Sequence, residues 1–95
     1  MITIIAHMSV PPDQVDTIHA AAPPFIASTR AEPGCVEFWL HRSVDDPGAF
    51  VWYENFRDQA AIDAHIASPH VGNWFALLEE IGATNQYALY ERTGT

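Results

Sequence analysis

The chain has 95 residues, a length that fits one domain, and 48% of them are hydrophobic, which excludes a disordered protein. Twelve acidic residues against four arginines give a formal net charge of −8, so nucleic acids and anionic membrane surfaces are excluded as partners, because both attract basic proteins. Cys35 is the single cysteine and no basic, apolar leader opens the chain, which together predict a cytoplasmic protein without a disulfide.

The first strand is predicted over residues 2–10, which are β-branched and apolar. A helix is predicted to start at Pro11-Pro12-Asp13 and to end at Glu32-Pro33-Gly34. Its apolar side recurs near helical spacing, at Val15, Ile18, Ala22, Phe25 or Ile26, and Thr29. We expect Pro23-Pro24 to kink or split this helix, because proline has no N–H to donate and disfavours helical geometry in the residue before it.

Residues 35–43 and 49–56 are predicted to form a β-hairpin around the turn sequence at 45–48, Asp-Asp-Pro-Gly. Side chains alternate between the two faces of a strand. One face of the later strand therefore carries Phe50, Trp52, Glu54 and Phe56. One face of the earlier strand is predicted to carry Cys35, Glu37, Trp39 and His41.

Two short helices and a last strand complete the predicted elements. Asp58 caps a helix that runs to about Ser68. Ser68 caps the next helix, with Pro69 in its first position, and Gly82 ends it after Ile81. The last strand covers residues 84–92.

The order β-α-β-β-α-β, with the second helical unit split, predicts an α+β fold: a single ferredoxin-like domain over residues 1–95. Its helices cover one face of a four-stranded antiparallel sheet. Every strand, however, carries apolar or aromatic side chains on both faces. The uncovered face would leave a larger apolar patch than soluble monomers usually expose. We therefore predict a homodimer in which sheet packs on sheet.

Two stretches are the most informative, namely Glu32-Pro-Gly-Cys35 and Phe50 to His70. The second one joins an aromatic strand that carries a glutamate directly to a helix that carries a histidine. In this the chain resembles the antibiotic biosynthesis monooxygenase (ABM) family of the dimeric α+β barrel superfamily, over nearly its whole length. The resemblance implies a dimeric barrel that oxygenates phenols and hydroquinones without metal, flavin or haem.

His65 and Glu54 are the candidate catalytic residues. His65 follows Ile62 by three residues, near the core-facing side of its helix, where an imidazole is able to take a phenolic proton. On the residues alone, a buried structural histidine is the stronger interpretation; the resemblance favours a catalytic base. Glu54 lies among aromatic residues and either orients His65 or forms a salt bridge with one of the arginines, Arg30, Arg57 or Arg92.

Six further residues are candidate substrate contacts. His70 lies in the first turn of its helix, and His7 lies on the first strand. Asn73 offers an amide donor, and three aromatic residues are candidates for the walls of a pocket, namely Trp52, Trp74 and Phe38. The alternatives are a surface position for His70 and Asn73, and plain core or dimer interface for the aromatic residues.

Metal and haem sites are not expected. His65 and His70 are five residues apart across a proline, and the chain has neither an HExxH motif nor a cysteine cluster. Haem-degrading relatives in the superfamily carry an asparagine, a tryptophan and a haem-ligating histidine where our alignment places His7, His65 and Phe75. The axial ligand is therefore missing.

The leading hypothesis is a cofactor-independent monooxygenase that oxidises a hydroquinone or a polycyclic phenol with molecular oxygen. A second hypothesis is a non-catalytic or stress-response dimer that binds a small aromatic ligand. A third is a cofactor-free isomerase that uses the same histidine as a base. The oxygenase assignment comes from the family resemblance, since the fold alone supports many activities.

Overall fold

The elements follow the predicted order in the computed structural model, which describes residues 1–94. Their bounds are β1 Ile2–Ser9, α1 Val15–Arg30, β2 Cys35–Arg42, β3 Ala49–Phe56, α2 Gln59–Ile66, α3 Pro69–Ile81 and β4 Thr84–Glu91, with one 3-10 turn at Pro12–Gln14 before α1. The four strands form one antiparallel sheet in the order β2-β3-β1-β4. The predicted α+β, ferredoxin-like fold class is confirmed.

Helix α1 runs without interruption through Pro23 and Pro24, so the prediction that the prolines split it is wrong. Both prolines lie on the exposed side of the helix, while Ala22 and Phe25 on either side of them are buried. The carbonyl groups that lose their helical N–H donors are those of His19 and Ala20, which are also exposed residues. Water can replace both hydrogen bonds there, so the helix continues.

The inner face of the sheet packs against the helices as the alternation predicts. Its buried side chains on β3 are Phe50, Trp52, Glu54 and Phe56, and those on β1 are Ile4, Ala6 and Met8. On this side an aromatic cluster forms the centre of the core: Phe25 of α1 stacks on Trp74 of α3 with ring centroids 4.5 Å apart, and Phe38 contacts Trp52 at 4.9 Å.

Strand β2 contains an irregularity that the sequence did not predict. Cys35 pairs with Phe56 and Glu37 pairs with Asn55, so Val36 is an extra residue, as in a β-bulge. The bulge moves Cys35 to the inner face, where it packs against the core. The predicted placement of Cys35 on the face of Glu37 and Trp39 is therefore wrong.

Within residues 1–94, no helix packs on the outer face of the sheet. Apolar and aromatic side chains on this face include Ile5, Val51, Tyr53, Trp39 and Tyr90, of which Trp39 and Tyr90 are about half exposed. A polar row crosses the same face, in which the Asn55 amide donates to Glu37 at 2.6 Å and accepts from the Thr3 hydroxyl. Among residues 1–94, no helix is both long and apolar enough to cross a membrane.

Candidate active site

His65 occupies the second turn of α2 with its ring between the helix and the sheet. Asp58 is the N-cap of this helix, and its carboxylate accepts a hydrogen bond from the Ala61 N–H at 2.8 Å. His65 is 6% exposed, and its ring contacts Phe56, at a centroid distance of 4.8 Å, and Phe38, at 5.7 Å. These contacts fix the plane of the imidazole, so its two nitrogens face different partners.

The Nδ1 atom of His65 is bound to Glu32, in the turn that joins α1 to β2, at 2.8 Å from Oε2. Gly34 lets this turn approach α2 closely, because a Cβ atom at this position would lie 2.2 Å from the Cβ of Ala61. The Gly34 carbonyl also accepts a hydrogen bond from the Arg57 N–H at 2.9 Å. The Glu-Pro-Gly turn therefore places a carboxylate against a histidine 33 positions later in the chain.

The same carboxylate oxygen binds a second histidine. Nε2 of His70 lies 2.7 Å from Glu32 Oε2 and 3.3 Å from the Ser68 hydroxyl. His70 is at the start of α3, and its side chain is about a quarter exposed, whereas that of His65 is almost fully enclosed. Glu32 thus connects a buried imidazole to one that reaches the surface.

On the other side of the ring, Nε2 of His65 lies 4.0 Å from Oε1 of Glu54. Glu54 is buried, and no arginine lies within salt-bridge distance of it among residues 1–94. Burial, together with the negative charge of Glu32, raises the pKa of Glu54 from 4.5 to about 8. At neutral pH its carboxyl group is mostly protonated, and it offers an O–H donor.

Glu54 and His65 both line a cavity of about 50 Å³ between the inner face of the sheet and α2 and α3. The other lining residues are Ile4, Ala6, Ile66, Val71, Phe75, Asn85 and Tyr87. Three of them are partly exposed at the opening: Ile66 at 46%, Phe75 at 42% and Tyr87 at 51%. A benzene ring occupies a cavity of about 150 Å³, so an aromatic ligand has to displace these side chains.

Asn85 brings a polar group to the same cavity from β4. Its Oδ1 atom is buried and has no hydrogen-bond partner within the described residues. Buried polar atoms are nearly always paired with protein or water, so an unpaired one in a cavity wall is an acceptor available to a ligand. Asn85 pairs with Met8 of β1, and Glu54 pairs with Ile4 of the same strand. The two pairing positions are four residues apart along β1.

The residues predicted from the sequence are distributed over four places. His65 and Glu54 meet at the cavity. Trp52, Trp74 and Phe38 belong to the aromatic core beside it, where Phe38 supports the ring of His65. His70 and Asn73 line a groove between α1 and α3 with a volume of about 310 Å³. His7 lies on the outer face of the sheet, across β1 from the cavity.

Glu32, His65 and His70 offer one carboxylate oxygen and two ring nitrogens within 4.8 Å of one another, a set that resembles a metal site. Two ligands of one tetrahedral zinc ion lie roughly 3.4 Å apart, given bonds of about 2.1 Å. The separations of 2.7 and 2.8 Å to the glutamate oxygen are those of hydrogen bonds. The cluster is arranged as a network that shares protons.

Glu32 and Asn85 are the site residues that sequence reasoning missed. The sequence indicates Glu32 only as part of the end of the first helix and of the Glu-Pro-Gly stretch of the family resemblance, because no local pattern relates it to His65. Asn85 is one polar residue in an alternating strand, and only the packing of β4 beside β1 brings it to the cavity.

Comparison with known proteins gives a consistent result. The family model described as "Antibiotic biosynthesis monooxygenase" matches residues 1–77. A protein of Mycobacterium tuberculosis named "Putative monooxygenase Rv0793" is 35% identical over 80 residues, which cover 84% of this chain and 78% of that protein. Its solved structure superposes with a TM-score of 0.89 at 29% identity, covering 99% of this chain and 96% of that one. A crystal structure described as an antibiotic biosynthesis monooxygenase gives a TM-score of 0.92 at 27% identity, covering 99% of this chain and all of the other.

Proposed function

Because this chain belongs to the antibiotic biosynthesis monooxygenase family, we propose that it is a cofactor-independent monooxygenase acting on a hydroquinone or a polycyclic phenol. The observation that carries the proposal is the pair formed by His65 and Glu54 at the cavity. The catalytic base is His65, through Nε2. Glu54 supplies a hydrogen bond from the opposite side.

The separation of these two groups suits one substrate oxygen between them. Nε2 of His65 and Oε1 of Glu54 are 4.0 Å apart, too far for a direct hydrogen bond. A phenolic oxygen can lie about 2.8 Å from both atoms at once. It would donate its proton to the histidine and accept the proton of the carboxyl group.

The reaction needs no redox group from the protein, since the substrate is the reductant. Removal of the phenolic proton gives an electron-rich anion, which passes one electron to molecular oxygen. The substrate radical and superoxide then combine into a peroxide anion. His65 returns the phenolic proton to this peroxide, and the substrate loses a second hydrogen from the oxygenated carbon as the O–O bond breaks. One oxygen atom therefore stays on the ring, and the other leaves as water with these two hydrogens.

Glu54 supports this chemistry as a neutral donor. The raised pKa keeps its proton in place at neutral pH, so it can stabilise negative charge on the phenolic oxygen in a site with little water. An ionised carboxylate at hydrogen-bond distance from the phenolic oxygen would instead repel the anion. The two acids at the site thus differ in charge, with Glu32 on the far side of the imidazole.

The lining of the site suits an apolar substrate, which would enter by displacing the partly exposed side chains at the opening. Its walls are largely apolar, and its opening is lined by Ile66, Phe75 and Tyr87. The free oxygen of Asn85 provides an acceptor for a second hydroxyl group far from His65. Hydroquinones and polyhydroxylated polycyclic phenols carry both features.

A homodimer is part of the proposal. The uncovered outer face carries Trp39, Tyr53, Val51 and Ile5, which would pack against the same face of a second copy. Burial of this face would also enclose the polar row around Asn55, whose amide is already paired on both sides.

The test is oxygen consumption by metal-stripped protein with hydroquinones and anthrone-type phenols as substrates. His65→Ala should lower the rate by about 10²- to 10⁴-fold, the usual contribution of a general base. His19→Ala is the matched control, because His19 is an exposed histidine on α1 that is remote from the cavity. It should leave oxygen uptake unchanged.

Other outcomes assign other functions. Product formed without oxygen would show an isomerase that uses the same base. Thermal stabilisation by the phenols with neither oxygen uptake nor product would show a binding protein. Equal oxygen uptake by His65→Ala and the native protein would remove His65 from the mechanism.

A further inference from the structure

We propose that Glu32 is a positioning residue that holds the proton of His65 on Nδ1 and so keeps Nε2 free to act as a base. This inference rests on the proposed function for its importance to catalysis, but the position of the proton is a property of the resting protein. The position of this proton follows from the hydrogen atoms that the linked side chains can donate, namely those of His65, His70, Ser68 and Glu32.

The hydroxyl group of Ser68 has one hydrogen. That hydrogen is donated to the backbone carbonyl of His65, with the oxygens 2.5 Å apart. Towards Nε2 of His70, at 3.3 Å, the Ser68 oxygen can therefore only accept. Nε2 of His70 must carry a hydrogen, which it shares between Ser68 and the nearer oxygen of Glu32.

The Glu32 oxygen thus already accepts one hydrogen bond when it meets His65. The contact with Nδ1 of His65 needs one further proton, on either the oxygen or the nitrogen. Imidazole is ordinarily more basic than a carboxylate by about two pKa units, so the proton belongs on nitrogen. An ionised oxygen that accepts from two N–H groups also satisfies both donors.

The consequence for His65 is a fixed neutral tautomer. With hydrogen on Nδ1, the lone pair lies on Nε2, which faces Glu54 and the cavity. A half-turn of the ring would put Cδ2 in the place of Nδ1 and Cε1 in the place of Nε2, so it would break the bond to Glu32 inside a packed aromatic pocket. In free histidine the proton favours Nε2, so the protein reverses the preference found in water.

His70 has a role in this arrangement that a substrate contact would not explain. Its N–H donates to the same oxygen of Glu32 that binds His65, and holds that carboxylate in place. Since Glu32 follows the end of α1 in a short turn, the second hydrogen bond limits its rotation. His70 therefore acts through Glu32 and does not need to touch the substrate.

Nitrogen-15 NMR of the imidazole side chains in the native protein tests the inference directly, because the two tautomers give different Nδ1 and Nε2 shifts. At a pH where His65 is neutral we expect the Nδ1–H form. In Glu32→Gln, whose amide N–H₂ can donate to Nδ1, the signal should change towards the Nε2–H form. The turnover number should fall about 100-fold or more with little change in KM, since a general base contributes that much.

Two further variants separate positioning from folding. Glu32→Asp keeps the charge with a shorter reach and should restore part of the Nδ1–H signal and part of the rate. Asp63→Asn, which neutralises an exposed acid on α2, should change neither. An Nε2–H form in the native protein, or an Nδ1–H form that persists in Glu32→Gln, would overturn the inference. Absence of oxygen uptake with the Nδ1–H form present would instead count against the proposed function.

Discussion

Nε2 of His65 faces Oε1 of Glu54 across 4.0 Å, while Nδ1 of the same ring is bound to Glu32 at 2.8 Å. One imidazole therefore lies between two acids in different environments. Glu32 lies in a polar turn and accepts hydrogen bonds from the N–H groups of His65 and His70. Glu54 lies among aromatic residues, and the free energy of burial keeps its proton on. This asymmetry gives the ring one side that holds a proton and one that receives it.

Because the pKa of Glu54 is raised, we predict that its contribution to the free energy of unfolding falls as the pH rises. Between pH 4.5 and about 8 the folded protein keeps a proton that the unfolded chain releases, so folding takes up a proton. The stabilising effect is fully present below pH 4.5 and is lost as pH rises through 8. Glu54→Gln should remove a slope of up to about 1.4 kcal/mol per pH unit in this window.

Urea unfolding at several pH values measures this slope for the native protein and the variant. The exposed Glu79→Gln on α3 is the matched control and should preserve the native profile. Parallel profiles for the native protein and Glu54→Gln would mean that Glu54 ionises normally in the folded state.

Gly34→Ala should destabilise the protein by about 1–3 kcal/mol, because the new methyl group meets Ala61. Ala61→Gly in the same chain should recover part of the loss by removing the opposing Cβ. Gly72→Ala on α3 is the control, since no atom lies within 4 Å of the added Cβ. It should be neutral or stabilising by up to about 1 kcal/mol.

Thermal unfolding ranks these variants. The tautomer of His65 in Gly34→Ala offers a second measurement, because a displaced turn withdraws Glu32 from the ring. If Gly34→Ala and Gly72→Ala are equally stable, the close approach of the turn to α2 is not a constraint.

Asn85→Leu should have opposite effects on stability and on binding. The variant replaces an unpaired buried oxygen by apolar atoms, so the free protein should be as stable as the native one or more so. Substrates with a second hydroxyl group should show a KM raised about 5- to 10-fold, from the loss of one hydrogen bond of about 1 kcal/mol or somewhat more. Substrates with a single hydroxyl group should not discriminate between the two proteins. A loss of stability above about 1 kcal/mol in Asn85→Leu would mean that the Asn85 oxygen has a partner in the free protein.

Val51→Asp should convert the proposed homodimer into a monomer. Val51 lies on the outer face of β3, between His41 of β2 and His7 of β1. A carboxylate in a sheet-on-sheet interface would lose its hydration, at a cost of several kcal/mol that a contact with one of these histidines would only partly offset. Sedimentation velocity should show the native protein as a dimer and the variant as a monomer, with Val44→Asp, in the exposed β2–β3 loop, as the control. A native protein that sediments as a monomer would contradict the predicted dimer.

The sequence was sufficient for the order of elements and for the buried positions of two candidate site residues, because both depend on local signals. Alternation along β3 placed Glu54 with Phe50, Trp52 and Phe56, and helical spacing placed His65 on the buried side of α2. The turn residues and caps also set the ends of α2 and α3 within about two residues.

What the sequence did not predict depends on tertiary contacts. The bond between Glu32 and His65 joins positions 33 apart, and its precondition is the absence of a Cβ at Gly34. The continuity of α1 depends on which side of the helix faces water. Pro23 and Pro24 lie on that side, so they do not split the helix as predicted. The bulge at Val36 shows only in the pairing register of β2 with β3.

That one extra residue in β2 also determines the reactivity of the thiol in this chain. Cys35 turns inward, and desolvation, followed by the charges of Glu32 and Glu54, raises the pKa of its thiol to about 11. Since the thiolate is the nucleophile, maleimides and iodoacetamide should modify Cys35 slowly at neutral pH. A fluorophore or spin label can then be attached at one introduced cysteine, with the native sulfur left in place as a silent background.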